Sequence, residues 1–194
     1  IILAGKTDEE IDDVKGSIAE RFEVKDMGEL KYILSQQVIQ ENGKVWIGQP
    51  TYTENILKKF GMESCKPVET PVDLSSKLIK ATDDSEMSNK EEYQQAVGCL
   101  LYLSSATRPD ITFAVNNVAK FTANPTKEHW TAVKRIFRYL KGTINYGLLY
   151  SENASPDCVG FSDADWAGDL NDRKSTSGYT FQMSGATVSW RSKK

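Results

Sequence analysis

Three carboxylates, Asp163, Asp165 and Asp169, lie within Val159-Gly160-Phe161-Ser162-Asp163-Ala164-Asp165-Trp166-Ala167-Gly168-Asp169 and have the types and spacing that best suit chemistry. A strand sends residues i and i+2 to one face, so Asp163 and Asp165 project together, and Asp169 follows in a glycine-containing turn. Such a set suits a hard cation. Mg²⁺ takes oxygen ligands, keeps several waters, and can be held by one or two carboxylates if substrate phosphates supply the rest. The same spacing also describes a solvated acidic turn between two hairpin strands.

Two further groups suit binding rather than catalysis. In Tyr93-Gln94-Gln95-Ala96-Val97-Gly98-Cys99-Leu100-Leu101-Tyr102-Leu103-Ser104-Ser105, helical spacing puts Tyr93, Val97, Leu100, Leu101 and Ser104 on a core side. Gln94, Gly98, Tyr102 and Ser105 line up on another face. An interior helical glycine costs about 0.5–1 kcal/mol against alanine, so Gly98 implies close approach of something, either a neighbouring helix or a ligand. Between Thr126 and Gly142, Trp130, Val133, Phe137 and Leu140 form an apolar face, with Lys127, Lys134, Arg138 and Lys141 in a stripe beside it and Gly142 as C-cap. The stripe suits phosphate tracking or a solvated charged face.

The elements that must position these residues can be marked along the chain. Thr7-Asp8-Glu9-Glu10 reads as a capping box opening a helix through about Phe22, with Ile11, Val14, Ile18 and Phe22 on one apolar face. Gly28 through Gln40 is strand-like, Asn42-Gly43 makes a two-residue hairpin turn, and Lys44 to Gly48 returns. Pro50 opens a helix that Gly61 stops. Residues 65–89, with Pro67, Pro71 and an acidic run, read as an extended linker with little core of its own. Helices are expected at about 90–105, 109–123 and 126–141, then strands at about 146–150, 157–164, 178–184 and 186–191. The fold class is therefore α+β.

Composition narrows the classes. The net charge of −3 by itself argues against a nucleic-acid partner, but residues 1–104 carry 12 Lys/Arg against 19 Asp/Glu, while residues 105–150 carry 7 against 2. Cys65, Cys99 and Cys158 are odd in number and widely spaced, which suits buried thiols in a reducing compartment. His129 is the only histidine, excluding multi-histidine zinc sites, and reads as a helix-surface or interface residue. No stretch has the length of a membrane helix and no basic-apolar leader opens the chain, so it reads as soluble and intracellular, with no membrane partner.

Phe161 to Asp169, then Asp172-Arg173-Lys174-Ser175-Thr176-Ser177-Gly178-Tyr179 and Val188-Ser189-Trp190-Arg191-Ser192-Lys193-Lys194, resemble the opening of the ribonuclease H domain of copia-type LTR retrotransposon Pol polyproteins. Met27 to Val38 with the Asn42-Gly43 turn is similar to the hairpin that grips the primer end in that family's reverse transcriptase, and Pro67 to Pro71 to its linker into the thumb. Gln94, Gly98 and Tyr102 match the thumb-helix positions that track the duplex minor groove. The resemblance implies three parts: 1–75, the end of the polymerase palm with hairpin and linker; 76–150, the thumb and connection helices; and 151–194, the first antiparallel strands of an incomplete ribonuclease H-like fold. It makes Asp163 the first ribonuclease H carboxylate and a metal ligand, with Asp165 as the candidate second ligand. It implies Mg²⁺ as cofactor, with an RNA/DNA hybrid or primer-template duplex and the rest of the Pol polyprotein as partners. The parent's place would be a cytoplasmic virus-like particle and the nucleus.

The parent activity so implied is RNA-directed DNA synthesis and degradation of RNA in hybrids. Ile1-Ile2-Leu3-Ala4-Gly5 is similar to the strand after the family's Tyr-x-Asp-Asp hairpin, and the later nuclease carboxylates would lie beyond Lys194, so the chain reads as an inactive fragment cut from within the polyprotein. The chain departs from the family at Leu34-Ser35-Gln36, where a Leu-Gly-Ile run is usual. A glutamine on a buried face would cost about 1–3 kcal/mol without a partner. Two other readings stay open: a domesticated remnant acting only as a nucleic-acid-binding or protein-interaction module, and a pseudogene product without function.

Overall fold

The computed structural model describes residues 1–194 apart from Leu74 and Ser76. Helices and antiparallel sheets are segregated along the chain, as the α+β expectation requires. Helix α1 (Asp8–Ala19) is capped by Thr7, whose hydroxyl accepts from the Glu10 amide, while the Glu10 carboxylate accepts from the Lys6 amide. It stops short of Phe22. Its expected apolar face is poorly covered, for Ile11 and Ile18 are only half-buried and Val14 and Phe22 are exposed.

Strands β1 (Tyr32–Ile33), β2 (Gln36–Glu41) and β3 (Lys44–Gly48) form the next unit. Asn42 and Gly43 both have positive φ, the twist that matches paired strands in a two-residue turn. The long strand expected from Gly28 to Gln40 is instead broken by a second turn at Leu34-Ser35, also at positive φ. Gln36, just after it, is half-buried, so its amide escapes the cost of full burial.

Helix α2 (Pro50–Lys59) begins on proline, whose missing amide hydrogen would have had no partner there, and Gly61 turns the chain away at φ +63°. The linker then runs over the helices. Arg135 Nη2 donates to Thr70 Oγ1 (3.0 Å) and Arg138 Nε to the Lys66 carbonyl (2.8 Å). The linker contributes Val68, Val72 and Leu78 to the edge of the core.

That core lies among α2, α3 (Lys90–Ala106), α4 (Thr112–Ala119) and α5 (Lys127–Gly142). On α3 the buried line is Tyr93, Ala96, Val97, Leu100, Leu103 and Ser104, while Leu101 turns outward, so the core seam is rotated from the expected one. Gly142 is the last helical residue rather than a left-handed cap; a Cβ there would come 3.2 Å from Pro67 Cβ, so the glycine gives room to the linker. His129 is buried, not on the surface. It stacks on Phe121 with ring centroids 3.9 Å apart, and its Nδ1 accepts from the Thr126 amide (2.9 Å) while Thr126 Oγ1 accepts from the His129 amide. It thus fills the place of the usual Glu or Gln in a capping box. Its Nε2 lies 2.9 Å from the Ile79 carbonyl, which assigns the proton to Nε2.

Arg108 is the largest fully buried side chain. It follows α3 and precedes a 3₁₀ turn (Pro109–Ile111), and its Nε and Nη2 grip both oxygens of Asp110 at 2.7–3.2 Å. Nη1 donates to the Thr143 carbonyl (3.0 Å) and Nη2 to Thr143 Oγ1 (2.7 Å). Burial and the Asp110 carboxylate push the Tyr139 hydroxyl up to about 12, so it stays a donor to Asp110.

Strand β4 (Gly147–Ser151) leaves the end of α5 and pairs antiparallel with β3, from Gly48 opposite Gly147 to Lys44 opposite Ser151, completing a sheet of order β1-β2-β3-β4. Trp46 explains the paired glycines, since a Cβ at Gly48 would come 2.4 Å from its ring. Strands β5 (Val159–Ala164), β6 (Ser177–Met183) and β7 (Ala186–Lys193) form a separate three-stranded meander. It docks through Trp190, whose indole donates to the Ser104 carbonyl (2.7 Å), and through Asn116, which donates to the Ser192 carbonyl (3.2 Å). No helix among the described residues is long and apolar enough to cross a membrane.

Two measurements check this account. Arg108→Ala removes a buried side chain together with its bonds to the exposed Asp110 and to Thr143, and should destabilise the chain by about 2–4 kcal/mol in urea denaturation. Burial lowers the His129 pKa below its usual 6.5, against the opposing pull of the Ile79 carbonyl. The unfolded chain therefore binds more protons between the two values, and stability should fall as pH drops below about 6.5. His129→Gln keeps the capping bond and should flatten Tm between pH 7.5 and 5.

Candidate functional site

The acidic cluster does not form as the spacing implied. Asp163 sits near the end of β5 opposite Gly178, exposed, with Oδ1 accepting from the Ala164 amide (2.9 Å). Asp165 lies just past the strand, where its Oδ1 accepts from the Thr176 amide (2.6 Å) and its own amide donates to the Thr176 carbonyl (3.0 Å). It holds the loop between β5 and β6 closed.

Asp169 is buried and ion-paired. Its Oδ2 lies 2.7 Å from Lys194 Nζ and 3.2 Å from Lys120 Nζ, and its Oδ1 accepts from the Asn171 amide (2.8 Å). Burial works to raise its pKa, but Lys194, Asn171 and Lys120 outweigh it and hold the carboxyl well below the usual carboxylate range. This is a structural charge hub. Asn171 in turn docks on the linker, accepting from the Lys80 amide (2.7 Å) and donating to the Leu78 carbonyl (3.3 Å).

Among the described residues no three His, Cys, Asp or Glu side chains are grouped to hold a metal. A site with two metals roughly 3.5–4 Å apart needs several carboxylates around a shared centre. With Asp169 spent on lysines and Asp165 on a backbone amide, these residues do not fit such a pair.

The stripe on α3 is more open. Gly98 has nothing within 4 Å of the position a Cβ would take, so no neighbouring helix accounts for it. Gln94 Nε2 donates to the Thr122 carbonyl (3.0 Å), which orients its amide. The Tyr102 ring meets Tyr52 edge to face, centroids 5.2 Å apart, and its hydroxyl donates to the Leu34 carbonyl. Ser105 Oγ donates back to the Tyr102 carbonyl (3.1 Å).

The stripe on α5 divides. Lys127 pairs with Glu86 across an exposed 2.8 Å contact, and Arg138 is committed in part to the linker. Lys134 lies 5.8 Å from the centroid of the half-buried Trp130 ring, and neither it nor Lys141 makes an ion pair among the described residues. Phe60, against Trp130 at 6.4 Å, brings Lys59 to the same surface, its ammonium 5.4 Å from the Phe60 ring. Sequence periodicity within one helix could not have found Lys59, because only the packing of α2 on α5 adds it. The docking roles of Arg108 and Trp190 are likewise set by packing, and the one local signal is Asp110, two residues after Arg108.

If Gly98 is kept for something outside the chain, alanine should improve folding there. Gly98→Ala is expected to raise stability by about 0.5–1 kcal/mol in denaturant titration.

The family model for reverse transcriptase (RNA-dependent DNA polymerase) matches residues 1–74. The retrovirus-related Pol polyprotein from transposon TNT 1-94 of Nicotiana tabacum is 40% identical across the whole chain, and that from transposon RE1 of Arabidopsis thaliana is 37% identical. The chain spans only 15% and 13% of their lengths. An uncharacterized mitochondrial protein of Arabidopsis thaliana is 34% identical over 194 residues, which make up 80% of it. No solved structure matches the chain. Family model and whole-chain similarity agree with the motifs, and the chain belongs to the family of copia-type retrotransposon Pol polyproteins.

Proposed function

We propose that this chain is the nucleic-acid-holding portion of a copia-type reverse transcriptase, followed by the opening strands of its ribonuclease H region. The whole polyprotein would carry out RNA-directed DNA synthesis and degrade the RNA of the hybrid, with Mg²⁺ at both centres. The open surface at Gly98 carries this reading. A helix interior gives up stability to keep a glycine that touches nothing, between a Gln oriented by Thr122 and a Tyr oriented by Tyr52.

In this reading Gln94 and Gly98 face the minor groove of a primer-template duplex, while Lys134 and Lys141, joined by Lys59, meet phosphates. Lys127 and Arg138 contribute less, because Glu86 and the Lys66 carbonyl already occupy them. Catalysis needs carboxylates besides Asp163 and Asp165, so the 194-residue chain alone should neither polymerise nor cleave. The uncharacterized mitochondrial relative, of which the match covers 80%, favours a second reading: a stand-alone remnant that binds without catalysis.

Fluorescence anisotropy with a labelled RNA/DNA hybrid across a salt series tests the first reading. Lys134→Ala should lower the salt slope by about one unit, and Gly98→Val should weaken binding at every salt concentration. A folded Gly98→Val chain that binds like the parent would overturn the minor-groove assignment.

A further inference from the structure

We infer that Tyr102 is a positioning residue: its hydroxyl holds the Leu34-Ser35 turn in a left-handed conformation against α3, and so sets where the hairpin sits beside the open surface at Gly98. Leu34 and Ser35 have φ of +47° and +59°. Side chains with a Cβ rarely enter this region, because the Cβ crowds the following carbonyl. The nearby hairpin turn makes the contrast plain, for it places Asn42 and Gly43 at such angles, the two residue types that accept them most readily.

Locally the Leu34-Ser35 turn is held by backbone pairing alone, the Val38 amide donating to the Lys31 carbonyl (2.9 Å). Leu34 is 74% exposed, and β1 is a two-residue edge strand that adds only the pairs Tyr32–Gln37 and Ile33–Gln36 to the sheet. The side-chain restraint comes from 68 residues away, where Tyr102 donates to the Leu34 carbonyl with its ring braced edge to face by Tyr52. Tyr102 lies one helical turn beyond Gly98 on α3. Its hydroxyl is therefore spent inside the chain, and hairpin and helix α3 move as one piece. That consequence for duplex binding rests on the proposed function, but the contact itself does not.

The test uses the isotope-labelled 194-residue chain without nucleic acid, so its failure is distinct from a failure to bind duplex. Tyr102→Phe keeps the ring against Tyr52 and removes only the donor. It should move the Leu34 carbonyl-carbon resonance upfield and speed amide exchange at Gln36 and Val38 by on the order of tenfold, leaving Leu100 and Leu103 at parent rates. Adding Ser35→Gly, which tolerates positive φ, should bring exchange back toward the parent. An unmoved Leu34 resonance, parent-like exchange in Tyr102→Phe, acceleration that includes α3, or no recovery with Ser35→Gly would each overturn the assignment.

Discussion

The guanidinium of Arg108 ties together elements that the chain itself keeps apart. Buried as it is, its five N–H donors demand a carboxylate and enough further acceptors to replace their hydration. Asp110 supplies the charge, and Thr143, 35 residues away, supplies a carbonyl and a hydroxyl. The end of α3 is thereby joined to the end of α5. Because β4 begins only a few residues after Thr143, the same interaction decides where that strand enters the hairpin sheet, and so where the sheet stands relative to the helices.

Away from this centre the chain is held in a different way. The helical core is apolar and closed, with Tyr93, Leu100, Ile111 and Phe137 fully buried. The meander buries little of its own, for Val159, Phe161, Phe181 and Val188 are all more than 40% exposed. What fastens it is polar: the Trp190 and Asn116 hydrogen bonds and the pairing of Asp169 with Lys120 and Lys194. Helix α1 has no buried residue at all. Regions with few buried apolar contacts open at low free energy, so hydrogen exchange should begin at α1 and β5 and reach α3 and α5 last.

The binding face shows how packing redistributes roles among residues of one type. Lys127, Lys134, Arg138 and Lys141 look equivalent on a helical stripe, but the linker crosses α5 near Arg138 and its acidic end meets Lys127. The linker is thus part of the helical unit. Its segment at Ile79 also accepts from His129, so the N-terminus of α5 depends on a contact with residues 50 positions earlier.

Local order was legible in the sequence because it depends on neighbours within about four residues. Asn42-Gly43 marked its turn, Pro50 and Gly61 bounded α2, Thr126 marked the start of α5, and the three strands expected after residue 157 lie close to their observed bounds. Motif residues were legible as well, and they pointed to the Pol family before any fold was in hand. The tertiary structure alone decided the partner of β4, the rotation of the α3 seam from Leu101 to Ala96 and Leu103, the burial of Arg108 and His129, and the conversion of Asp169 from candidate metal ligand to ion-pair hub. Each outcome depends on which distant group removes water from a side chain or replaces it. Whether a carboxylate meets a cation or solvent is set by residues such as Lys120, 49 positions from Asp169, and no local pattern encodes that distance.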